Sequence, residues 1–132
     1  MSSNFVKHIE ENIYKKELIY RSILVVKSNT DGYRLKTFLD NRDYTSQFVK
    51  NIDNDIEYNN IDCRILIMCT NMFKDFVNFL DLQNGINNST YNFIGFDYSL
   101  DAECVNDLVS FYTRKTNNMT NTIILDKSCV FV

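Results

Sequence analysis

The chain has 132 residues, of which 45% are hydrophobic, 14% aromatic and 23% charged, and it carries a formal net charge of −3. That length suits one domain whose core needs no staple, and the composition is too apolar for a disordered segment. The acidic balance leaves no footprint of clustered Lys and Arg for displacing counterions from a duplex, so any nucleic-acid contact is expected to be local or shared with a partner.

Residues 4–18 place Phe5, Ile9, Ile13 and Leu18 at intervals of four or five, a helical stripe with Ser3 or Asn4 as N-cap. The N-terminal stretch has no apolar h-region, and no segment nears the roughly 20 apolar residues of a membrane span, so a cytoplasmic location is expected. Ser22-Ile-Leu-Val-Val26 is a continuous β-branched run of the kind that forms a strand buried on both faces. After a turn, Tyr33, Leu35, Phe38 and Leu39 predict a helix ending near Asn41.

Residues 42–62 are ambiguous, because positions 44–49 fit either a strand or a short helix and the remainder is polar. Arg64-Ile-Leu-Ile-Met-Cys69 is a second buried strand, and Met72, Phe73, Phe76, Phe79 and Leu80 follow at helical spacing. A polar loop containing Gly85 leads to a third strand, Tyr91-Asn-Phe-Ile-Gly-Phe96. Residues 101–112 read as a helix with Val105, Leu108, Val109 and Tyr112 on its apolar face, Thr122-Ile-Ile-Leu125 as a fourth strand, and residues 129–132 as a terminal strand or docking tail. Apolar strands alternating with helices predict a three-layer α/β sandwich around a mainly parallel sheet, joined by right-handed crossovers.

Phosphate-binding α/β enzymes place a glycine-rich turn after a strand so that backbone N–H groups can approach the ligand. Here the turns after Val26, Cys69 and Phe96 hold one glycine, Gly32, well past its strand, and no Gly-Lys-Ser/Thr occurs. Nucleophilic catalysis with a histidine base would have to use His8, which lies on the first helix and reads as a surface or packing residue. Cys63, Cys69, Cys104 and Cys129 are far apart with no Cys-x-x-Cys pair, so a zinc site is not expected and the thiols read as small hydrophobes. Asp97, Asp101 and Glu103 cluster after the third strand, where α/β folds take ligands. They could bind a divalent cation in a small metal-dependent enzyme. The preferred reading is that Asp101 caps the next helix and Glu103 sits at its positive end. The aromatics fall mostly at core spacing rather than forming a base-stacking platform.

Three blocks resemble, in the family's order, the C-terminal RecA-like domain of superfamily 2 helicases. Residues 22–39 resemble its opening strand and helix, Arg64-Ile-Leu-Ile-Met-Cys-Thr-Asn the strand leading into motif V, and Tyr91-Asn-Phe-Ile-Gly-Phe-Asp-Tyr-Ser the strand before motif VI. From Asp97 to Leu125 the match to the DEAD-box pattern is ungapped. In that register the two arginines that would touch ATP phosphates fall on Leu108 and Phe111, the motif V glycine falls on Phe76, and Arg114 alone survives.

An arginine finger supplies orders of magnitude in rate, so the resemblance implies a degenerate lobe, spanning residues 1–132, without catalytic residues or cofactor. Length, Asn/Lys/Ile/Tyr usage and acidity also resemble the small RNA polymerase subunits of the cytoplasmic linear killer plasmids of yeasts. That resemblance implies a non-catalytic subunit held by a large polymerase subunit. A lobe without its mate is expected to dock on a larger protein through Phe73, Phe76, Phe111, Tyr112 and Arg114.

Overall fold

The structure, a computed structural model, describes residues 4–13, 21–52, 65–82, 91–117 and 120–126. Helix α1 (Asn4–His8) runs into one π-helical turn, Ile9–Ile13. The remaining elements are β1 (Arg21–Val26), α2 (Asn29–Asp40), β2 (Ser46–Phe48), β3 (Ile65–Cys69), α3 (Thr70–Leu82), β4 (Tyr91–Asp97), α4 (Ala102–Thr116) and β5 (Asn121–Leu125). On the described residues the expected strands and helices are present, the first helical stripe being followed only as far as Ile13, and α4 runs a full turn beyond its apolar stripe. The ambiguous segment contributes the short edge strand β2. Leu18, Cys63, Gly85, Cys129 and the terminal tail lie outside the described residues.

The five strands of the described residues are all parallel, in the order β2-β3-β1-β4-β5. A parallel sheet hides both faces, which is why β1 and β3 are apolar almost throughout. Ile23, Val25, Leu66, Met68, Ile94 and Phe96 face α3 and α4, where they meet Phe73, Phe76, Val77, Leu108 and Tyr112. Leu24, Val26, Ile65, Ile67, Phe93 and Leu125 face the other way, under Leu35 and Leu39 of α2 and Phe5 and Ile9 of the first helical segment. The crossover from β1 to β2 runs one way along the sheet over one face. Those from β3 to β4 and from β4 to β5 run the other way over the opposite face, as crossovers of a single hand require. The result is a doubly wound, three-layer α/β fold of the Rossmann type.

Two close contacts tune this packing. The register between β1 and β4 shifts by one residue after Arg21, which turns Tyr91 toward α4, where the buried Tyr112 hydroxyl donates to the Tyr91 carbonyl at 2.9 Å. In the middle of β4, a Cβ on Gly95 would lie 2.8 Å from Leu24 Cδ2 and 2.9 Å from Leu125 Cδ2. Both leucines are fully buried, so they would have to shift within the packed core to admit it. Overpacking of this kind costs more than the conformational entropy gained by losing a glycine. Gly95→Val is therefore expected to destabilise the fold by about 1–3 kcal/mol, read as a lower urea midpoint at an unchanged m-value.

His8 lies half-buried with its ring stacked on Phe93, the centroids 3.7 Å apart. Desolvation by burial lowers its pKa from the ordinary 6.5, against a smaller opposing effect of the Glu11 carboxylate. The folded state thus binds fewer protons than the unfolded chain just below pH 6.5, and stability rises with pH through that window. Stability is expected to fall as the pH drops below 6.5 and to level off once folded His8 protonates. His8→Phe should flatten that slope in denaturant titrations run across this range.

Candidate functional site at the carboxyl edge of the sheet

In a doubly wound sheet the usual ligand position is the crevice between two adjacent strands whose crossovers leave in opposite directions. Here those strands are β1 and β4. Beyond β1 the chain turns through Lys27 into Ser28, whose extended backbone and side-chain oxygen cap α2 by accepting from Asp31 N at 3.2 Å. Beyond β4 it reaches Asp97, which is 1% exposed. One Asp97 oxygen accepts from the Lys27 backbone N–H across the crevice at 3.2 Å. The other accepts from the Ser99 N–H at 3.0 Å and the Ser99 hydroxyl at 2.9 Å. The Asp97 carbonyl accepts from Leu100 N at 3.0 Å, which closes the turn. A carboxyl group is tolerated at that depth because its oxygens are hydrogen-bonded, and here it staples the two loops that flank the switch point.

The other two carboxylates of the sequence cluster sit apart from this bond. Asp101 has an extended backbone and accepts from Cys104 N at 2.7 Å, so it is the N-cap of α4. Glu103 is exposed in the first turn, where a negative charge meets the positive end of the helix. Among the described residues no three His, Cys, Asp or Glu side chains are grouped so as to hold a metal ion. Cys69, at the end of β3, donates its thiol to Asn29 Oδ1 at 3.2 Å and so ties α2 to the sheet edge. Burial, helped by the Asp31 charge, raises the Cys69 pKa and keeps the sulfur a thiol rather than a nucleophilic thiolate. Farther out, Lys50 donates to the Tyr33 hydroxyl beside a shallow recess of about 470 Å³ lined by Lys50, Ile52, Met72, Asp75 and Phe79.

The expected partner surface divides in two. Phe73 and Phe76 are core residues at 0% and 1% exposure, and Tyr112 is buried at 1%, so these three pack the domain instead of presenting a surface. The reason is helical spacing, since Leu108 and Tyr112 lie four residues apart on the inward stripe of α4, which leaves Phe111 on its flank. Phe111 is half-buried and Arg114 is exposed. The Phe111 ring gathers cations: Lys74 Nζ lies 5.3 Å, Arg114 Cζ 5.7 Å and Lys115 Nζ 5.9 Å from its centroid. Lys74 also pairs with Asp107 at 3.0 Å across the gap between α3 and α4.

A scan of protein-family models, a search of curated proteins and a search of solved structures each find no match to the chain. No helix among the described residues is long and apolar enough to cross a membrane.

The geometry at Asp97 assigns it to holding the crevice. Asp97→Ala is expected to leave the Lys27 and Ser99 donors without their acceptor and to cost about 1–3 kcal/mol of stability, equally in EDTA and in excess magnesium. A loss seen only when divalent metal is present would return these carboxylates to a metal site.

Proposed function

We propose that this chain is a non-catalytic binding subunit of a nucleic-acid-processing assembly, held by a larger protein. The first candidate for that protein is the large subunit of a plasmid- or virus-encoded DNA-directed RNA polymerase. The observation that carries this reading is the staple between Asp97 and Lys27. In the usual ligand position of the fold, the chain spends its buried carboxylate and the adjoining N–H on one another.

Further support comes from the positions where the helicase resemblance would put phosphate-contacting arginines. Leu108 is 3% exposed in the core, and Phe111 packs partly against that core. Both side chains serve packing and surface shape rather than charge neutralisation. The doubly wound fold agrees with the resemblance at the level of architecture, and the polymerase assignment rests on the resemblance of length and composition.

The test is native recovery of the tagged chain from the cells that encode it. The expected outcome is an assembly larger than one chain, with a stoichiometric second polypeptide and no ATP turnover attributable to the chain. Recovery as a lone monomer, or ATP turnover that persists through successive purification steps, overturns the proposal.

A further inference from the structure

Phe111 is a half-buried ring with three cationic side chains within 6 Å of its centroid, on a chain whose net charge is −3. Arg114 and Lys115 stand in the last turn of α4, where positive charge complements the helix dipole, and that alone would account for them. It does not account for Lys74, which comes from the other helix and reaches the same ring. Asp107 is the acidic side chain paired with this group, through Lys74. The Lys74 and Asp107 side chains are 47% and 64% exposed, so their ion pair contributes little to stability. Holding like charges together on a surface is unfavourable until an opposite charge arrives, and a flat aromatic at their centre adds an apolar anchor.

We propose that this patch between α3 and α4, centred on Phe111 and rimmed by Lys74, Arg114 and Lys115, receives an acidic segment of the partner protein. This rests on the reading of the chain as a subunit of a larger assembly and names the chemistry of its partner. Carboxylates of the segment meet the cations, and an apolar side chain between them covers the exposed part of the Phe111 ring. Nucleic acid fits less well. Base stacking needs an open ring face, whereas Phe111 is packed partly against the core. Tracking phosphates needs a groove lined by many cations, whereas this patch holds three around one ring.

The experiment uses the tagged full chain in the cells that encode it, with two readouts. In the first, Lys74→Glu/Arg114→Glu/Lys115→Glu is compared with Lys7→Glu/Arg34→Glu, which alters exposed charges on the helices of the opposite face. Circular dichroism establishes that both variants fold. The patch variant is expected to lower recovery of the partner by about ten-fold or more, as loss of a complementary charge cluster does, while the control retains it. In the second, Phe111→p-benzoyl-Phe is irradiated and the attached peptide is sequenced, and the attachment point is expected to lie among Asp and Glu residues.

An intact assembly in the folded patch variant overturns the site while leaving the subunit reading standing. Attachment to nucleic acid, or to a neutral or basic peptide, overturns the occupant. A wild-type chain recovered alone overturns the subunit reading and this inference with it.

Discussion

A parallel sheet has no face to spare, and that constraint organises the whole molecule. Each strand of the centre must be apolar on both sides, each face must be roofed by helices, and each connection must cross the sheet to reach the next strand. With β1 in the middle, the roofing divides into α1 and α2 below and α3 and α4 above. The two apolar clusters follow from alternation along three central strands, and the helices contribute the matching stripes. At Gly95 this packing is close on two sides, because side chains from both neighbouring strands occupy the volume a larger residue would need.

Winding the sheet in two directions leaves an opening at the carboxyl ends of β1 and β4, and open α/β sheets usually put a ligand there. In this chain the opening is spanned by a buried carboxylate bound to backbone and hydroxyl donors of its own loops. The distinctive chemistry of the surface lies elsewhere, on the outer helices, where the Phe111 ring collects Lys74, Arg114 and Lys115, with Asp107 paired to Lys74. The crevice is thus spanned by the chain's own hydrogen bonds, while the aromatic and cationic side chains of α3 and α4 stand on the outer layer.

Much of this architecture is legible in the amino-acid order. The runs in β1, β3 and β4 can be read directly because strands buried on two faces need continuous apolar residues, and the stripe Leu108–Tyr112 predicts the buried side of α4. Strand β2 is opaque because it is short and reads Ser-Gln-Phe, with its middle residue only partly covered, so only pairing with β3 reveals it. At the candidate site, Asp101 as a cap is local and visible from sequence. The bond from Asp97 to Lys27 joins residues 70 apart and has no sequence signature. Likewise, Arg114 and Lys115 stand at helical reach of Phe111, whereas Lys74 enters from another helix and becomes relevant only after folding. Phe73, Phe76 and Tyr112 mislead as surface candidates because large aromatics serve cores as readily as interfaces.

The strand order also sets the timing of folding on the ribosome. Strand β1 is made first among the strands, yet its hydrogen-bonding neighbours are β3 and β4, and β4 ends only at Asp97. Until β4 has emerged, one edge of an almost wholly apolar strand has no partner, and α2 has only part of a sheet to pack on. Such a chain must close long loops before its central contacts reward it, and exposed apolar edges of this kind recruit chaperones or other nascent chains.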